Sequence, residues 1–154
     1  MKGFLLDTNV ISMLAPARTE PPKEFLDWLE RMDAAGKIFL SVVTIHEIEK
    51  GVALLEHKGA VAKASVLKVW LAGLITNYSD KILDLDAGAA TIAGRLEADA
   101  IAAGHHPGMA DAIIAGIART HDLHVITENK KHFFPFNITL SSPADAVGLE
   151  YTKP

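Results

Sequence analysis

The chain has 154 residues, with 15 Lys and Arg against 19 Asp and Glu and no Cys. That length supports one sizeable core rather than two full domains, and the lack of Cys excludes a disulfide framework, a thiolate metal site and a Cys nucleophile, leaving oxygen and imidazole as metal ligands. Apolar residues at 49% and charged residues at 22% argue against disorder, and the net charge of −4 argues against attraction of the whole molecule to nucleic acid while permitting a local basic patch.

Gly3 to Leu6 is a short apolar run that stops at Asp7, the pattern of a buried parallel strand whose carboxyl end meets a polar site. The same Asp7 interrupts the amino-terminal apolar stretch too early for a signal-peptide core, and no apolar run approaches about 18 residues, so the expectation is a cytoplasmic protein without membrane contact. A short helix carrying Val10, Ile11, Met13 and Leu14 is predicted to end before Pro16. Pro21-Pro22 opens a second helix with Phe25, Leu26, Trp28, Leu29 and Met32 on one face, closed by Gly36, and Ile38 to Val43 reads as a strand.

A third helix is expected from about Thr44 to Gly59, with Ile45, Ile48, Val52 and Leu55 at three- and four-residue intervals, and a fourth from about Ala60 to Leu74. Ile82 to Leu85 reads as a short strand, Ala87 to Ala103 as a helix, Gly104 to Gly108 as a breaker, and Met109 to Thr120 as another helix. Leu123 to Thr127 is a strand, and Ile138 to Leu140 adds an edge strand. Strands separated by helices imply right-handed crossovers and an α/β fold, a parallel sheet covered on both faces. In such sheets the ligand crevice lies at the carboxyl ends of the strands, where Asp7 and Thr127 fall.

Three acids lie where an apolar element meets a boundary: Asp7 after the first strand, Glu47 one turn into the third helix, and Asp111 one turn into the helix after Pro107. Two like charges 4 Å apart repel by roughly 4 kcal/mol at an effective dielectric near 20, so acids gathered in one crevice need compensation. A divalent ion bound through oxygen supplies it, and Mg²⁺ or Mn²⁺ suits carboxylates that leave positions to water and phosphate. Such an ion also eases ionisation of water and neutralises charge on a phosphoryl oxygen, which points to phosphodiester hydrolysis.

Each acid has a structural use as well. Asp7 fits a helix cap. Thr44-Ile45-His46-Glu47 matches the capping box, in which the acid bonds back to the cap residue. Asp111, amid Met109-Ala110 and Ala112-Ile113-Ile114-Ala115, is the acid whose apolar setting favours function over capping.

Four segments carry a family resemblance: Phe4-Leu5-Leu6-Asp7-Thr8-Asn9-Val10, Ser41 to Gly51, Asp111-Ala112-Ile113-Ile114-Ala115, and Val125-Ile126-Thr127-Glu128-Asn129. In order and spacing they resemble the PIN-domain ribonucleases, specifically the VapC and FitB-like toxins of type II toxin–antitoxin pairs, over about residues 3 to 140 of a single domain spanning 1–154, with 141–154 as a carboxyl-terminal tail. The resemblance implies a three-layer α/β/α sandwich around a mainly parallel sheet of four to five strands. It implies an acidic pocket holding Mg²⁺ or Mn²⁺ that cleaves RNA, a cognate VapB/FitA-like antitoxin that inhibits it, and a homodimer. Asp7, Glu47 and Asp111 match the family's firmest acids. Asp7 and Asp111 are then the direct metal ligands, and Glu47 ligates, holds the water shell or orients the attacking water.

The family's fourth acid has no counterpart, because Asn129 fills the motif position, Glu128 precedes it and His132 stands before Phe133. With that charge lost, one ion is expected and two is the alternative. Thr8, Asn9, Thr127, Glu128 and Asn129 remain candidates for supporting the acids or a second ion. Lys130 and Lys131 are candidates for RNA phosphate, and His105-His106 reads as a solvated loop. Two other readings compete with the nuclease: a PIN-like module that binds without cleaving, and an aspartyl phosphatase, for which the second acid expected two residues after Asp7 is replaced by Asn9.

Overall fold

The computed structural model describes residues 1–16 and 18–151. Five strands form one parallel sheet in the order β3-β2-β1-β4-β5, with β1 at Gly3–Leu6, β2 at Ile38–Ser41, β3 at Ile82–Leu83, β4 at Leu123–Ile126 and β5 at Leu140–Ser141. β1 is central: Phe4 pairs with Ile38 on one side, and Leu6 with Ile126 on the other. All four residues of β1 and all four of β4 are buried, which is why β1 reads as an unbroken apolar run and β4 as one interrupted only by His124, whose ring bonds to the Ser141 hydroxyl.

The period of two in a strand divides these runs between two cores. Leu5 and Val125 pack on one face with the helices α5 (Ala87–Ala102) and α6 (Met109–His121), while Phe4, Leu6 and Ile126 pack on the other with α1 (Thr8–Ser12), α2 (Lys23–Ala34), α3 (Val42–His57) and α4 (Val61–Asn77). The chain therefore steps from β1 through β2 to β3 with its crossovers on one face and returns to β4 across the other. A right-handed crossover forces this change of face once the direction of travel reverses. The reversal lies between β1 and β4, and in an open parallel sheet that point leaves a crevice at the strands' carboxyl ends.

α5 and α6 approach closely because Gly116 stands at their contact. A Cβ there would lie 2.7 Å from the Ala93 Cβ and 2.8 Å from the Ala89 carbonyl oxygen. Gly to Ala inside a helix ordinarily gains about 1 kcal/mol. Here the collision with a backbone oxygen outweighs it, and Gly116→Ala is expected to lower stability by about 1–3 kcal/mol in a urea titration. An unchanged midpoint would show that the two helices can separate freely.

Besides β3, which stops at Leu83 rather than Leu85, and β5, which forms at Leu140–Ser141 rather than Ile138 to Leu140, three local features differ from the sequence expectations. β2 ends at Ser41 rather than Val43, because the Ser41 side chain accepts the Thr44 N–H and starts α3 two residues before Thr44. Thr44 is thus inside the helix and not its cap, so the capping-box reading of Glu47 fails. The second difference is a pair of turns between β4 and β5, the helix α7 (Lys130–Phe133) and a 3-10 turn at Phe134–Phe136, which Phe133 and Phe136 anchor in the core.

The third lies at the carboxyl end, where α8 (Pro143–Ala146) buries Ala146, and Val147, Leu149 and Tyr151 pack on the α2 side. Trp28 Nε1 donates to the Leu149 carbonyl at 3.0 Å. Residues 152–154 of the stretch read as a tail lie outside the described residues. Among the described residues, no helix is long and apolar enough to cross a membrane.

Candidate active site

Asp7 leaves the carboxyl end of β1 and is only 5% exposed. Its Oδ1 accepts the Thr8 N–H at 2.8 Å, which caps α1, so the capping use expected of it is real. Its Oδ2 has a different partner, the Thr127 hydroxyl at 2.8 Å, from just beyond β4. Each oxygen keeps a lone pair for another ligand.

Thr127 is fully buried, and its hydroxyl is saturated: it donates to Asp7 and accepts from the Asn129 N–H at 3.0 Å and from Asn9 Nδ2 at 3.4 Å. Asn9 Oδ1 in turn accepts the Glu128 N–H at 3.3 Å. Asn9 and Thr127 therefore lock the Asp7 carboxylate in orientation. Glu128 and Asn129 enter this network through backbone amides, and their side chains are exposed.

On the other side, Thr8 Oγ1 donates to Glu47 Oε1 at 2.8 Å and lies 2.9 Å from Thr44 Oγ1. With its single proton committed to Glu47, Thr8 accepts from the buried Thr44. The chain from Thr44 through Thr8 to Glu47 fixes one carboxylate oxygen and leaves the second open. Thr44 was absent from the sequence-based candidates because a threonine inside a helix carries no local signal of its partner.

Asp111 lies in the first turn of α6, where Gly108 is the cap residue and no side chain caps the helix. Its carboxylate instead faces the His132 ring, with Oδ2 3.4 Å from Nδ1. His132 occupies the neighbourhood in which the family's fourth acid was sought.

Asp7, Glu47 and Asp111, separated by tens of residues in sequence, share one electrostatic environment. Burial raises the Asp7 pKa, and the charges of Asp111 and Glu47 raise it further despite the hydrogen bonds from Thr127 and Thr8. Burial likewise raises Asp111, with Glu47 adding to the rise and His132 opposing it. Among the described residues, no Lys or Arg forms an ion pair with any of the three. The site thus has oxygen donors, excess negative charge and no fixed cation, which fits a hard divalent ion.

Among the described residues, no three acidic or imidazole side chains already close around one point.

Two clefts flank the acids. One of about 320 Å³ lies beside Asp111 and includes His105, His106, Lys131 and His132, so the loop read as merely solvated forms a wall of the site. The other, about 830 Å³, begins at Thr8 and Glu47 and runs between α3 and α4 past Ile48, Val52, Leu67 and Trp70, with Ser12 on its rim.

The PIN domain family model matches residues 4–134, which includes every acid of the site. This chain belongs to the PIN-domain family. Within it, the chain is 32% identical to Toxin FitB of Neisseria gonorrhoeae over 141 residues, covering 91% of this chain and 97% of FitB. It is 29% identical to VapC ribonuclease Y4jK of Sinorhizobium fredii over 152 residues, covering 98% and 96%. The FitAcB crystal structure from Neisseria gonorrhoeae superposes with a TM-score of 0.78 at 32% identity, covering 92% of this chain and 98% of that one. The parallel sheet with helices on both faces is the PIN-like fold, and Asp7 follows the carboxyl end of its central strand.

Proposed function

We infer that this PIN domain is the toxin of a toxin–antitoxin pair, an endoribonuclease dependent on Mg²⁺ or Mn²⁺ and acting on single-stranded RNA in the cytoplasm. The observation that carries the reading is that Thr8 bonds to both Asp7 and Glu47, with the Asp111 charge near enough to add to the rise that burial causes in the Asp7 pKa. The ribonuclease named among its relatives supports the substrate class.

In this reading Asp7 and Asp111 would hold the ion. When bound, the ion supplies Lewis-acid stabilisation of the phosphoryl oxygen and a water that ionises near neutral pH. Thr127 and Asn9 keep the Asp7 carboxylate in its binding orientation. Glu47, with Oε1 tied to Thr8, offers its other oxygen to the attacking water and holds it in line with the scissile bond. Water attacks phosphorus and releases one of its protons to solvent, the bond to the leaving ribose oxygen breaks, and that oxygen takes up a proton from solvent.

The inhibitor has a surface of its own. The apolar groove between α3 and α4 opens directly onto Glu47, so a segment of a cognate antitoxin seated there closes the crevice from that side. The outer face of α4 leaves Val61 and Val69 exposed, and we assign pairing of two copies of the toxin to this side of the molecule. A module that binds without cleaving has less support, since all three acids are present and, among the described residues, none is consumed by an ion pair to Lys or Arg. The phosphatase reading fails on Asn9, whose amide is spent on Thr127 and the Glu128 N–H.

The direct test is cleavage of labelled single-stranded RNA by the purified toxin. Cleavage with Mn²⁺ or Mg²⁺, abolished by a chelator and suppressed by the cognate antitoxin, is the expected result. Cleavage unaffected by the chelator would remove the ion from the mechanism.

A further inference from the structure

The stretch Phe133-Phe134-Pro135-Phe136 sends two of its rings inward and one outward. Phe133 and Phe136 are buried and pack edge to face with centroids 6.3 Å apart, whereas Phe134 between them is 76% exposed. The buried pair holds the turn rigid, so the exposed ring is presented in a fixed place at no gain to the core. Phe134 lies with Lys130, Lys131 and Leu140 around a surface cleft of about 450 Å³.

Lys131 lines this cleft and also the cavity that contains Asp111, His105 and His106, so one basic side chain joins the two. Lys130 pairs with Asp145 at 3.2 Å, while Lys131 has no carboxylate partner among the described residues. Lys131 thus sets a cation between an exposed aromatic ring and the acidic crevice.

Resting on the ribonuclease reading, we propose that Phe134 and Lys131 form a subsite for the RNA strand flanking the scissile phosphate. One unpaired base stacks on the Phe134 ring, and the adjoining phosphate lies on Lys131, which leads the strand into the cavity beside Asp111. Every base has a face to stack, so the subsite selects single-stranded over duplex RNA without reading sequence. The imidazole N–H groups of His105 and His106 line the inner end of this path and can donate to the next phosphate.

The test uses the full chain carrying Glu47→Gln, which lines the other cleft, so that RNA is bound without being cleaved. Binding of a fluorescein-labelled 12-nucleotide oligoadenylate is measured by anisotropy as salt is varied. Adding Phe134→Ala is expected to weaken binding about tenfold, as loss of one stacked base does. Adding Phe134→Tyr is expected to leave binding nearly unchanged. Adding Lys131→Ala is expected to reduce the salt slope by about 0.7, one single-strand phosphate contact.

If both alanine variants bind like their parent while the unmutated protein still cleaves RNA, the subsite is overturned and the nuclease stands. If the unmutated protein neither binds nor cleaves RNA, the nuclease reading falls and the subsite with it. A change of sedimentation coefficient in Phe134→Ala with RNA affinity intact would assign the ring to a contact between copies and overturn the subsite as well.

Discussion

Replacing Asp111 by Asn is expected to lower kcat/KM for RNA cleavage on the order of a thousandfold while leaving the fold intact. An ion's stabilisation of phosphoryl charge is worth several kcal/mol, and about 4 kcal/mol corresponds to that factor. Asp111 is the cleaner position for the test because its carboxylate caps nothing, and its polar contact is the exposed His132 ring. Asp7→Asn removes the same charge but also disturbs the bonds from the Thr8 N–H and the Thr127 hydroxyl, so lost activity there mixes chemistry with structure.

Thr127→Val provides the graded comparison. It keeps the shape and removes the hydroxyl that orients Asp7, and substitutions behind a metal ligand cost about 10–100-fold. Circular dichroism and a thermal melt establish folding in each case. Activity in Asp111→Asn within about tenfold of the unmutated protein would refute its place as an ion ligand.

The second expected result concerns stability without catalysis. In the metal-free protein Asp7 and Asp111 both have pKa values raised above the ordinary carboxylate value, first by burial and then by like charges. A raised folded-state pKa means that the folded state binds more protons than the unfolded chain between the two values. The stabilisation from these two groups is therefore complete below the ordinary carboxylate pKa and is lost as pH rises through the raised ones. At pH 7.5 the folded protein bears the full cost of the gathered charges.

Mn²⁺ or Mg²⁺ binding offsets that cost. At an ion concentration ten times the Kd, binding to the folded state alone adds about 1.4 kcal/mol, which raises Tm by about 3–6 °C for a chain of this size. Asp111→Asn is expected to lose that ion-dependent shift. Its metal-free stability relative to the unmutated protein should also improve on going from pH 4 to pH 7.5. An equal shift in both proteins would place the ion elsewhere.

Much of this site was legible from residues alone because buried parallel strands advertise themselves. Gly3–Leu6 and Leu123–Ile126 are apolar runs ended by Asp7 and Thr127, and the carboxyl-end rule brings those two residues together before any coordinates are known. Glu47 was harder. Thr44 and Glu47 have the spacing of a capping box, and Val42-Val43 extends the apparent strand, so local pattern alone favours a structural acid. The Ser41 side chain starts the helix earlier and frees Glu47 for the crevice. That outcome depends on a choice between two cap residues three positions apart, Ser41 and Thr44, which differ little in propensity.

The turns after β4 were invisible for another reason. α7 and the 3-10 turn are too short for any periodicity to register and exist because Phe133 and Phe136 find places in a core built by distant helices. The neighbourhood of His105, His106 and His132 depends on those same long-range contacts, so nothing in the local sequence around Gly104 announces it.

The bond between Thr127 and Asp7 spans 120 positions, and it joins the first strand to the fourth. During synthesis from the amino terminus, Asp7 leaves the ribosome long before Thr127 does, and for that whole interval β1 lacks its neighbour on one side. Until Thr127 has emerged, Asp7 therefore lacks the hydroxyl that orients its carboxylate, and the crevice between β1 and β4 is the last part of the sheet's centre to close.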